Sequence, residues 1–97
     1  WHFYVPTDAG VDFVLSFYFA KSVSGFNGNL KVSIYDTDQT TLLLTSEVVD
    51  LSAADTNYHL HTCASVDPTA TGFCLVRIEV EDGATTGAVY IDDLAVT

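Results

Sequence analysis

Val11-Asp12-Phe13-Val14-Leu15-Ser16-Phe17-Tyr18-Phe19-Ala20, "VDFVLSFYFA", decides the fold of this chain. Val11, Phe13, Leu15, Phe17 and Phe19 alternate with mostly polar neighbours, and a period of two places them on one face of a β-strand. A helix of the same residues would scatter its four largest apolar side chains around the cylinder, so the stretch predicts a strand with one buried face.

The same signature recurs in both directions. Upstream, Trp1 to Val5 is closed by Pro6 and the turn Thr7-Asp8-Ala9-Gly10. Downstream, "LKVSIYD" sends Leu30, Val32 and Ile34 inward with Lys31, Ser33 and Tyr35 outward, and after the turn "DTDQT" the run "TLLLTSEVV" reads as another strand with room for a bulge. "YHLHTCASV" sets Tyr58, Leu60, Thr62, Ala64 and Val66 against His59, His61, Cys63 and Ser65. "FCLVRIEVE" sets Cys74, Val76, Ile78 and Val80 against Leu75, Arg77, Glu79 and Glu81. The last strand, "AVYIDDLAVT" (residues 88–97), groups Val89, Ile91, Asp93 and Ala95 on one face and Tyr90, Asp92, Leu94 and Val96 on the other. Turn residues separate these runs at roughly 8–14-residue intervals, so the expected fold is all-β: an antiparallel, jelly-roll-like β-sandwich of about seven to eight strands, forming one domain over residues 1–97.

Composition narrows the function. Three basic residues stand against thirteen acidic ones, a formal net charge of −10. A polyanion is bound by Lys and Arg that displace its counterions, so nucleic acid is excluded as a partner class, and anionic membrane surfaces with it. No apolar run approaches the ~18 residues that span a bilayer, so no membrane span is expected. The chain has no methionine and no signal-like leader, and it reads as a mature or excised piece of something longer.

The reactive residues do not assemble into an enzyme. No nucleophile elbow is present, and Glu79, Glu81 and Arg77 share one face as a solvated strand surface. His59 and His61 lie two apart on one face, a spacing that can chelate a metal, but no third ligand is evident and an exposed face accounts for both. Cys63 and Cys74 flank a turn around "DPTA" and would oppose each other as a disulfide, provided a bulge reconciles their different faces; otherwise they are two free thiols. Tyr18 and Tyr35 lie on the outward faces of consecutive strands expected to pair, and Trp1, Tyr4 and Phe26 lie near ends or loops. Flat rings beside hydrogen-bonding groups suit the C–H faces and hydroxyls of sugars, although the same rings equally serve as packing against a neighbour.

"VDFVLSFYFAKS", "LKVSIYDTDQTTLLLTSEVV" and the closing "GAVYIDDLAVT" resemble, in order and spacing, the strands of carbohydrate-binding modules of families 4, 9 and 22. The resemblance implies a jelly roll that binds polysaccharide without cleaving it, usually as an appendage to an enzyme, and the acidic, Lys-poor composition fits an extracellular surface. The resemblance also implies a structural Ca²⁺ ion, for which Asp92 or Asp93 of the "IDD" is the candidate ligand. On this reading the chain is a non-catalytic glycan-binding module or adhesion domain using Tyr18, Tyr35, Trp1 and Tyr4. Family members carry further N-terminal strands that this chain lacks, and unpaired edges invite a neighbour. The alternative is therefore a structural or assembly subunit, such as a virion decoration or tail protein or an extracellular fibre component, whose partners are neighbouring subunits.

Overall fold

A computed structural model describes residues 1–22, 26, 28–51, 56–81 and 87–97. The described residues form seven strands: β1 (His2–Thr7), β2 (Leu15–Lys21), β3 (Asn29–Tyr35), β4 (Leu42–Asp50), β5 (His59–Thr62), β6 (Gly72–Glu81) and β7 (Val89–Val96). All pairings are antiparallel, in a four-stranded sheet ordered β1-β6-β3-β4 and a three-stranded sheet ordered β5-β2-β7. Every connection except β3–β4 passes from one sheet to the other, so the two sheets form one sandwich and neither is a meander. Among the described residues no helix is long and apolar enough to cross a membrane.

The alternation in β2 fills the space between the sheets. Leu15 and Phe17 are fully buried, and Phe13 and Phe19 nearly so, against Leu30, Val32 and Ile34 of β3 and Cys74, Val76 and Ile78 of β6. Each such large side chain contributes ~1.5–3 kcal/mol relative to an exposed one, which makes this layer the main stabilising feature of a small domain. Val11 escapes the pattern: it precedes the strand and is exposed. Phe26, a ring-stacking candidate in the sequence, is buried in the core.

The β3–β4 turn is fixed by two aspartates. The Asp38 carboxylate accepts the Thr40 and Thr41 amides at 2.9 Å each and the Thr41 hydroxyl, while Gln39 takes a left-handed conformation at φ 64°. These bonds hold the Asp38 pKa down to about 2, the Thr41 hydroxyl contributing most. Asp36 is buried. Its carboxylate accepts the Thr37 amide at 2.8 Å and reaches across to the amide and hydroxyl of Thr69, tying this turn to the β5–β6 connection.

Two strands depart from the sequence reading. In β5, Phe17 opposes His61 and Phe19 opposes His59, so the histidines share the inward face of β2. Their rings sit 5.5 and 5.9 Å from the phenyl rings. Cys63 follows on the same face and is buried, whereas Tyr58 and Leu60 are exposed. The face assigned to solvent is thus the inner one. In β7, Ser16 opposes Ala95 and Tyr18 opposes Asp92, three steps of β7 against two of β2, which defines a bulge. Asp93 occupies it at φ 51°. Beyond the bulge the faces exchange, and Leu94 and Val96 join Val89 and Ile91 on the inner side instead of pointing outward as simple alternation predicts.

Candidate functional site

The candidate stacking tyrosines Tyr18 and Tyr35 divide between the two outer faces of the sandwich. Tyr18 lies on the three-stranded sheet, in a cross-strand row Leu60–Tyr18–Asp92. Tyr35 lies on the four-stranded sheet. The shared Tyr18–Tyr35 platform is therefore not formed, because the β2–β3 connection changes sheets and places the two rings on opposite sides of the molecule.

Tyr35 instead acquires a different partner. The register of the four-stranded sheet aligns Tyr4, Leu75, Tyr35 and Leu42 in one row across all four strands. Three interstrand gaps of about 4.8 Å give this row a span of roughly 14 Å. Phe73 lies diagonally next to Tyr4 and is 57% exposed, and Tyr4, Phe73 and Gln39 line a recess of about 330 Å³. The adjoining row is His2, Arg77 and Ser33, and the His2 ring meets Tyr4 edge-on at 6.2 Å. The row of Tyr4 and Tyr35 thus borders an imidazole and a guanidinium on one side and, with Phe73, the Gln39 carboxamide at the turn on the other. Phe73 was missed in the sequence, although it has the parity of Leu75 and Arg77 and so belongs to the outward face.

The two remaining sides of the sandwich differ. At one, the edge strands β4 and β5 meet through polar groups. Glu47 opposes Val32, so it points inward from the edge of its sheet. Glu47 Oε1 lies 2.8 Å from His61 Nε2, and Oε2 accepts the Ala64 amide at 2.9 Å. At the other side, edge strands β1 and β7 leave an apolar groove. One part, of about 460 Å³, is walled by Trp1, Phe3, Val5, Leu94 and Val96; another, of about 290 Å³, lies between Trp1 and Ile91. Trp1 extends the β1–β6 ladder through mutual backbone bonds with Ile78 and is 62% exposed.

Asp92 and Asp93 are both exposed, and Asp92 Oδ1 accepts the Asp93 amide at 2.8 Å. Among the described residues no third His, Cys, Asp or Glu ligand atom joins them, and the calcium expectation rests on the resemblance alone. Cys63 and Cys74 are free and buried. β5 pairs with β2, and β6 pairs with β1 and β3, so the hairpin that would have opposed the two thiols does not exist. Burial pushes the Cys63 thiol up to about 12, with the Glu47 carboxylate adding to the shift. Cys74 is raised for the same first reason, against a weak contact to the Thr7 hydroxyl. Neither thiol is an activated nucleophile.

No protein-family model, curated protein or solved structure matches this chain. The site's geometry therefore carries the functional argument alone.

Proposed function

We propose that the chain is a non-catalytic glycan-binding module of an extracellular protein or virion surface, and that it contacts polysaccharide with the outer face of the four-stranded sheet. The carrying observation is the Tyr4–Leu75–Tyr35–Leu42 row with Phe73 exposed beside it. Rings on a flat sheet take the C–H faces of pyranose units, and Gln39, Arg77 and His2 stand where they can exchange hydrogen bonds with hydroxyls. This replaces Tyr18 and Trp1 as contact residues by Phe73 and keeps Tyr4 and Tyr35. A polysaccharide affinity-electrophoresis panel tests it. Retardation by at least one glycan is expected, with Tyr4→Ala and Phe73→Ala each weakening binding by roughly 2–10-fold, the range of a single aromatic contact. Absence of retardation on every glycan, or retention unchanged in both variants, would sink the reading.

A second reading has its own support. Trp1, Leu94 and Val96 leave apolar surface open between two unpaired strand edges, which suits a structural subunit held by its neighbours in a virion or extracellular fibre. A defined multimer by native mass measurement, together with a negative glycan panel, would favour it.

A further inference from the structure

We infer that Glu47, His61 and Cys63 form a binding site for a divalent transition metal, zinc above all, which clasps β4 to β5 and so joins the two sheets along one side. One ligand atom from each residue lies within 4.8 Å of the other two. The residues come from β4, from β5 and from the position just after β5, so no single turn or sequence motif brings them together.

The donor set of one imidazole, one carboxylate and one thiol is the borderline-soft combination that zinc prefers, whereas Ca²⁺ takes oxygen ligands only. Tetrahedral zinc bonded at ~2.0 Å to N and O and ~2.3 Å to S holds its ligand atoms about 3.3–3.6 Å apart. On binding, separations of up to 4.8 Å shorten by at most about 1.5 Å and the 2.8 Å Glu47–His61 pair opens by about 0.5 Å, changes that side-chain rotations supply.

Each ligand is already held by a second contact. Ala64 N–H fixes one Glu47 oxygen and leaves the other facing His61. The His61 ring leans on Phe17, and the Cys63 amide donates to Leu15 O at 2.8 Å. Such outer contacts orient ligands for a metal. Charge points the same way. A thiolate beside Glu47 with no cation would put two negative charges in a partly buried site. A divalent cation with one carboxylate, one thiolate and a neutral imidazole is electrically neutral. On binding, the Cys63 S–H bond breaks, the electron pair goes to the metal–sulfur bond and the proton leaves to solvent. The fourth position falls to solvent. This site is independent of the glycan-binding reading.

Cobalt titration of the reduced full chain tests the inference, since Co²⁺ reports thiolate ligation optically. We expect saturation at one equivalent, a near-ultraviolet thiolate-to-cobalt charge-transfer band, intense visible bands of a tetrahedral site, and displacement of both by Zn²⁺. Cys63→Ala abolishes the charge-transfer band while Cys74→Ala, checked for folding by circular dichroism, retains it. Glu47→Gln, which preserves an acceptor for Ala64 N–H, weakens Zn²⁺ at least tenfold. A wild-type titration without the thiolate band overturns the site, and so does a band that survives in Cys63→Ala or Glu47→Gln with unchanged affinity.

Discussion

Replacing Asp93 tests whether the closing strand owes its shape to a bulge. Asp93 sits at φ 51°, where an ordinary L-residue loses ~1–2 kcal/mol and Asp or Asn somewhat less, because a short polar side chain bonds locally. Valine at this position adds β-branch clashes. If the strand escaped the strain by dropping the bulge, Leu94 and Val96 would rotate to the outer face. They are 38% and 45% exposed, so roughly half of the ~1.5–3 kcal/mol for burying each would be forfeited. Across the two routes Asp93→Val destabilises by about 1–3 kcal/mol, which for a domain of this size lowers Tm by roughly 4–24 °C. Asp93→Asn leaves Tm unchanged, and Asp93→Gly leaves it equal or slightly higher. The neighbour behaves differently: Asp92→Asn keeps the Oδ1 that accepts the Asp93 amide, while Asp92→Ala removes it for about 0.5–1.5 kcal/mol. Differential scanning calorimetry in EGTA and in excess Ca²⁺ reads all five variants. A Val variant as stable as wild type refutes the bulge argument. If both Asn variants and EGTA lower Tm, the carboxylates act through a calcium ion instead.

Two further perturbations probe the interior. Lys21 is buried, and its ammonium donates to Leu51 O at 2.8 Å and Phe26 O at 3.2 Å; Lys21→Met keeps the aliphatic stem but strands both carbonyls, so urea unfolding should show a loss of ~1–3 kcal/mol. A Met variant at wild-type stability would mean that those carbonyls find other partners. The Asp36 carboxylate is held below its ordinary 3.8, first by the Thr69 hydroxyl and then by the Thr37 amide. A folded-state pKa below the unfolded one stabilises above pH 3.8 and is lost as pH falls through the folded value. The stability gap between wild type and Asp36→Asn should therefore be full at neutral pH and close under acid, and a gap that stays constant from neutral to acid would contradict the assignment.

Legibility from sequence followed how strongly burial constrained each strand. β2, β3 and β6 lie inside their sheets, where an apolar row has only one place to go, and parity alone assigned their inner faces correctly. β7 has an edge, and there one inserted residue inverts every later side chain without leaving a mark in composition. By resemblance the two aspartates are candidate calcium ligands in the sequence. In the structure Asp92 caps the amide that Asp93 presents from a left-handed turn of chain. Pairing between strands was equally hidden, because Tyr18 and Tyr35 are close in sequence while the crossing connection sends them to opposite faces.

The inverted face of β5 follows from the same physics, carried one step further. Hydropathy ranks Tyr58 and Leu60 above His59 and His61, so it points the wrong face inward. What decides the orientation is Glu47, an inward carboxylate on the neighbouring sheet edge. An uncompensated carboxylate there would be costly, and β5 meets it by turning its imidazole inward. Leu60 then lies outside beside Tyr18. The polarity of one edge strand thus fixes the register face of another across the sandwich, a long-range dependence that no window along β5 contains. Glu47→Leu makes that dependence measurable. Without the carboxylate, His61 loses its polar partner on the inward side, and hydrogen exchange across β5 should accelerate relative to β2 and β3. If β5 amides remain as protected as in the wild type, the Phe17–His61 and Phe19–His59 contacts alone set the face.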